Sequence, residues 1–267
     1  MKPQTAVHYT DNYLINPTNP ITVNLIGAGG TGSNMLTALA KMNHSLINLG
    51  HAGLHLNLFD DDIITPANQG RQLFADAEIG LPKAVALINR TNRFFGTNWK
   101  AVTEQFSTSN LKLLSNQGKA NIYISCVDTA SARFDIATVL EGFNSYNNWE
   151  RNKCFYWMDI GNSRHTGQVI LSTIGNIQQP HSKLFRAVSN LPMVTEEFRE
   201  LLESQNDNNE PSCSLAEALE KQDLFINSTL ANMGASLLWK LFRDGMTQHR
   251  GFFLNLAEFR SQPIMVG

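Results

Sequence analysis

The stretch NLIGAGGTGSNML, Asn24 to Leu36, restricts the possible folds of this chain more than any other. Gly27, Gly29 and Gly32 satisfy G-x-G-x-x-G directly after an apolar, β-type run and directly before a helical pattern. In that setting the first glycine permits a tight turn. The second lets backbone approach a phosphate, and the third lets helix and strand pack closely. Gly30 belongs to the same backbone cradle, and Ser33 can add a hydroxyl at the helix start. Alone, the motif is also compatible with a glycine turn that binds nothing. Its place between strand and helix favours a nucleotide.

The rest of the chain repeats that alternation. Strands are expected at Thr22–Ile26, Leu54–Phe59, Lys100–Glu104, Ala120–Val127 and Cys154–Ile160, and helices at Gly32–Lys41, Pro82–Phe95, Thr108–Leu114 and Ala130–Phe143. This order predicts an α/β fold: a Rossmann-like, mostly parallel sheet with helices on both faces. In the helix that starts at Pro82, residues Val85, Ile88, Asn89, Asn92 and Phe95 fall near one face. Later come a strand in TGQVILST and a helical, mixed stretch from Pro180 to Glu203. A polar crossover, Glu203 to Ser212, leads to a long helical pattern from Ser214 and a closing strand in RGFFLNLAEF.

A chain of 267 residues can bury roughly 70–75% of its unfolded surface as one domain. Its 16% charged residues and the lack of a long apolar run argue for a soluble protein without membrane spans. The net charge of −2 offers no overall field for nucleic acid. The N-terminus lacks the layout of a signal peptide and the three cysteines cannot all pair with one another, which points to a cytoplasmic setting.

The residues after the glycine loop narrow the ligand. LFDDDI closes the second strand, and an acid there accepts hydrogen bonds from ribose hydroxyls in dinucleotide folds. Asp60 is the leading candidate, Asp62 completes a D-x-D pair, and Asp61 reads as a solvated strand end. A nicotinamide dehydrogenase would need little more. Here Asn68, Arg71, Gln72 and Lys83 follow within about two dozen residues of the acids. Arginine and lysine offer bidentate and point-charge partners to a triphosphate, so ATP is favoured over NAD. As a charged group beside phosphate, Lys83 is not expected in the core. In ISCVDTASARFDI, Asp128 follows a β-type run and is placed to hold the magnesium that accompanies ATP. Arg133 fits either a site role or a structural ion pair.

GAGGTGS, FDDDIITPANQGRQLF, IGLPKA and CVDTASAR together resemble the nucleotide-binding signatures of the ThiF, MoeB and ubiquitin-activating-enzyme superfamily. Within it, the whole chain is most similar to ThiF-family members of PRTRC cassettes. The resemblance implies an adenylation fold that uses MgATP to adenylate the C-terminal glycine carboxylate of a ubiquitin-like or sulfur-carrier protein. It implies that Asp60 holds ribose, that Asn68, Arg71, Gln72 and Lys83 contact phosphates or order the loop around them, and that Asp128 binds magnesium. It further implies a homodimer. On this layout residues 1–160 are the nucleotide-binding half, and residues 161–267 the carrier-binding and dimerisation half, with a crossover near 203–213. A non-catalytic scaffold of the same fold is the alternative, and an NAD-dependent oxidoreductase is disfavoured.

Two departures from the family pattern stand out. Many relatives supply an arginine from an N-terminal segment of the partner subunit, but no Arg precedes Arg71 here, and Lys2 and His8 are poor substitutes. No C-x-x-C pair is present, so no structural zinc is expected. Cys126 and Cys154 sit in apolar patterns and read as packing residues. Cys213 follows a polar segment and opens a helical pattern, the setting in which a thiol becomes reactive. The resemblance makes it the match for a thioester-forming cysteine.

Overall fold

The structure, a computed structural model, describes residues 4–69, 72–144, 153–203 and 222–267. Its centre is an eight-stranded sheet. Five strands run parallel in the order β4 (Lys100–Val102), β3 (Leu54–Phe59), β2 (Ile21–Ile26), β5 (Ile122–Ser125) and β6 (Tyr156–Asn162). Antiparallel β7 (Thr166–Thr173), β10 (His249–Asn255) and β11 (Arg260–Met265) extend it beyond β6. A small second sheet joins β1 (Thr5–Tyr9) to β8 (Phe185–Ala187) and β9 (Met246–Thr247).

Successive residues of a strand face opposite sides of the sheet, and both sides here are apolar. Ile122 and Ile124 of β5, with Met158 and Ile160 of β6, join one core cluster, while Tyr123 and Trp157 join another. The first cluster is closed by α2 (Gly30–Asn48), α3 (Lys83–Phe95) and α8 (Ile226–Asp244), the second by α4 (Leu111–Gln117), α5 (Ala130–Asn144), α6 (Val194–Glu197) and α7 (Arg199–Glu203). The short α1 (Asn12–Ile15) follows β1. The expected α/β architecture, with helices on both faces, is the one observed.

Several local expectations are corrected. Helix α2 begins two residues before the expected Gly32 and continues well past Lys41. In α3 the buried stripe is Ala84, Leu87, Ile88 and Thr91, whereas Asn89 is exposed and Val85 and Phe95 are half-buried. Small Ala84 and polar Thr91 hid the true i, i+3, i+4, i+7 face. Pro180 to Glu203 is mixed: irregular chain around β8, then the two short helices α6 and α7. The pattern of β1 gave no signal because its partners, β8 and β9, lie far along the chain. Strand β11 is a mostly exposed edge containing Pro263, so it lacks the alternation of a half-buried strand.

Candidate functional site

The strand order creates one place where neighbouring parallel strands connect in opposite directions. From β2 the chain passes through α2 to β3 on one side; β5, on the other side, is reached only after β4. Ligands of open α/β sheets bind beyond the carboxyl ends of the strands at such a switch point. The glycine loop follows β2 there, and the Asp128 loop follows β5.

The glycine loop is built by close approach. Gly27 has φ 97°, and a Cβ on it would lie 2.6 Å from the carbonyl oxygen of Cys126. A Cβ on Gly32 would collide with the carbonyl oxygen of Gly27. At Gly29, by contrast, a Cβ would meet no atom within 4 Å, so the loop is open on that side. Helix α2 starts here, and its first amides lack partners within the helix. Ser33 is buried and its hydroxyl donates to the carbonyl of Gly30 at 3.2 Å, turning into the helix instead of the open side.

Asp60, directly after β3, fastens this loop. Its Oδ2 accepts the Ala28 N–H at 2.6 Å and its Oδ1 accepts the Asp62 N–H at 3.1 Å. Burial pushes its carboxyl up to about 6, against the pull of the Ala28 N–H and of Lys83. Four lone-pair sites on a carboxylate leave room for further donors. Asp61 and Asp62 are exposed.

Residues 63–69 lead away from the sheet and residues 72–82 lead back to it. Ile63 bridges to Pro82, and the Ile64 N–H donates to the Leu81 carbonyl at 2.9 Å. That closure brings Lys83 to Asp62: the Lys83 N–H donates to the Asp62 carbonyl at 2.9 Å and Nζ to Asp62 Oδ2 at 2.7 Å. Lys83 is only 7% exposed, which corrects the expectation that a phosphate-facing lysine stays out of the core. Its stem lies in the packed start of α3, as lysine stems do when only the head reaches polar surroundings. Asn68 orders the excursion, its Oδ1 accepting from the Thr65 N–H at 2.8 Å and from the Thr65 hydroxyl at 3.0 Å. Gln72 is buried, and its Oε1 has no hydrogen-bond partner among the described residues. Arg71 and Cys213, as well as Lys2, lie outside the described residues.

On the β5 side Asp128 is exposed while Arg133, on the first turn of α5, is buried. The Arg133 guanidinium holds both backbone carbonyls that flank Asp128, through Nη2 to Val127 at 2.8 Å and Nη1 to Thr129 at 3.0 Å. Its Nε pairs with both oxygens of Asp159 at 3.0 Å. Asp159 also accepts from Ser125 at 2.7 Å, and Ser125 from the Trp157 indole at 2.8 Å. Of the two roles open for Arg133, the ion pair is the one observed, and it anchors the Asp128 loop. Sequence reasoning passed over Asp159, although a carboxylate in the apolar run YWMDI must find a cation.

Other expectations resolve simply. Cys126 is buried, and burial raises its thiol far above the ordinary range. Cys154 is only half-buried, 3.2 Å from the Tyr123 hydroxyl. His8 is fully buried, bound to the Val188 carbonyl at 2.6 Å and the Tyr156 hydroxyl at 2.8 Å. Tyr156 begins β6, so His8 sits at the end of the sheet opposite the glycine loop. Among the described residues no cluster of metal-ligating side chains is found, and no helix is long and apolar enough to cross a membrane.

In fold the chain is similar to PaaA, with a TM-score of 0.60 and 16% identity, covering 92% of this chain and 64% of PaaA. It is similar to Escherichia coli MccB at a TM-score of 0.60 and 14% identity, covering 95% of this chain and 63% of MccB. A structure of MccB with ATP matches at a TM-score of 0.55 and 14% identity, over 95% of this chain and 65% of that one. The chain thus spans a little under two-thirds of these neighbours. No curated protein matches it in sequence. The sequence model of the ThiF family matches residues 18–265, nearly the whole chain, and covers the glycine loop, the acids, Lys83 and Asp128 together. The chain belongs to the ThiF family.

Proposed function

We propose that this protein uses MgATP to adenylate the C-terminal carboxylate of a small protein. The observation that carries this is the convergence, at one switch point, of an open glycine loop, the Asp60–Asp62–Lys83 assembly and the Asp128 loop. A carboxylate oxygen of the acceptor attacks the α-phosphorus of ATP, the bond to the β-phosphate bridging oxygen breaks, and pyrophosphate leaves with that electron pair. Negative charge builds on the phosphates. The amides at the start of α2 and the Nζ protons of Lys83 not used by Asp62 are the protein groups suited to meet it. Asp60 fits the ribose hydroxyls. Arg71, Gln72 and Asn68 serve the phosphates or the loop, and the unsatisfied Oε1 of Gln72 suits an external donor. Asp128, exposed and acidic, would hold magnesium, which supplies charge neutralisation when bound with ATP.

ATP is the ligand named with MccB, which also appears with AMPCPP together with MccA, so a nucleotide and a second component meet on a related fold. For this chain the acceptor we favour is a ubiquitin-like or sulfur-carrier protein ending in glycine, acting on a cytoplasmic homodimer, as in the PRTRC-cassette members it resembles. Residues 161–267 would carry the acceptor and dimer surfaces, and Cys213 would be the thiol for any onward thioester. MgATP and NAD titrations by calorimetry test the nucleotide. Tight MgATP binding with no comparable NAD binding is expected, and the reverse overturns the assignment. ATP–pyrophosphate exchange dependent on a small glycine-terminated protein encoded beside this one tests the reaction. Nucleotide binding without exchange would indicate the scaffold instead.

A further inference from the structure

Asn227 lies 196 residues from Thr31, yet it is buried against the start of the glycine-loop helix. It is the second residue of α8. Its Oδ1 accepts the Thr31 hydroxyl at 2.8 Å and the Asn162 amide at 3.3 Å, and its Nδ2 donates to Gln222 Oε1 at 2.9 Å. One side chain therefore joins the first turn of α2, the end of β6 and the residues leading into α8. It also accounts for Gly30. A Cβ there would lie 2.6 Å from Nδ2 and 2.8 Å from Cγ of Asn227, so the amide packs directly against the backbone at the first residue of the helix. Gly30 has no positive φ that would require glycine. Its missing side chain makes room for Asn227.

We infer that Asn227 is a positioning residue for the nucleotide loop, holding the α2 start from the far half of the chain. The inference rests on the nucleotide reading proposed above. A buried amide with both polar atoms engaged is confined to one geometry, because moving it would leave donors or acceptors unpaired. The first-turn amides of α2, the groups suited to a phosphate, inherit that geometry through Gly30 and Thr31. The same amide reaches Gln222, so the position of the segment entering α8 is linked to the position of the loop.

Calorimetry of the full chain with MgATP tests this, alongside thermal unfolding of each variant. Asn227→Ala is expected to weaken MgATP binding about tenfold, the effect of one buried hydrogen-bonded contact. Thr31→Val, nearly isosteric, should weaken it in the same direction. The double variant should be no weaker than Asn227→Ala within about twofold, since both changes break one contact. Gly30→Ala should also weaken binding, and Asn227→Ala in that background should recover part of the loss by vacating the space. A purely structural side chain would lower the melting temperature and leave the affinity of the folded protein unchanged. That outcome, additive losses, or no recovery in the Gly30 pair would overturn the inference. Should Asn227→Ala fail to fold, Thr31→Val and Gly30→Ala decide by the same affinity criterion. A parent protein that binds no MgATP would instead remove the nucleotide reading, and this inference with it.

Discussion

Two acid–base pairs flank the switch point, and they are built in opposite ways. Arg133 and Asp159 are both buried, and every guanidinium nitrogen is engaged: one with the carboxylate, two with backbone carbonyls. Lys83 is buried too, but its partner Asp62 has a side chain 66% exposed, and Nζ makes one hydrogen bond among the described residues. The first pair is closed. The second retains donors and an exposed carboxylate. A closed pair supports a loop, whereas an open one has capacity left for a ligand, so residue type alone does not separate support from function.

The largest expected effect comes from breaking the closed pair. Arg133→Met would leave the Asp159 carboxylate buried without its cation and release the Val127 and Thr129 carbonyls. Removing one partner of a buried pair costs about 3–5 kcal/mol, and urea or thermal unfolding should show a loss of that order. Removing both charges in Arg133→Met/Asp159→Leu should recover part of it. A single variant as stable as the parent would show that the pair does not hold the Asp128 loop.

Lys83→Met should behave differently. Asp62 can hydrate when its partner leaves, so stability should change by about 1 kcal/mol or less. MgATP affinity should fall by roughly 10- to 100-fold, the range for a charge-assisted hydrogen bond of about 1.5–3 kcal/mol. Calorimetry and unfolding on the same samples separate the two quantities. A large stability loss with unchanged affinity would make Lys83 another supporting residue.

The smallest effect sharpens the comparison through pH. The Asp60 carboxyl should titrate near 6 in the free protein, measured by NMR of its side-chain carbon, because burial outweighs the N–H groups and Lys83. Lys83 lowers that value, so Lys83→Met should move the midpoint upward. The sign for stability follows. A carboxyl raised in the folded state contributes most below its unfolded value of 3.8, and the contribution is lost as pH rises through about 6. Relative to Asp60→Asn, the parent should therefore lose stability across that window. A midpoint near 4 would mean that Asp60 is better hydrated than its place against Ala28 implies.

The folding pattern was readable where the physics is local. Gly27 and Gly32 announce the turn because no side chain fits at either position, and apolar strands buried on both faces announce a covered parallel sheet. Pairings between distant segments were not readable. An exposed edge such as β11 has no period to detect, and β1 has no partner nearby in sequence. The α3 face is hidden in the sequence because Ala84 and Thr91 look unremarkable until α2 and the sheet cover them.

The sequence by itself determined the fold class and the family, since a glycine loop, the D-x-D acids, Lys83 and Asp128 follow one another in that order along one chain. Only the tertiary structure decided what each polar residue does there. Whether an arginine is spent on support, a lysine is buried or an asparagine reaches a loop 196 residues away depends on which atoms lie within hydrogen-bonding distance. Those distances are set by sheet order and helix packing, which bring together side chains whose spacing in sequence carries no trace of the contact.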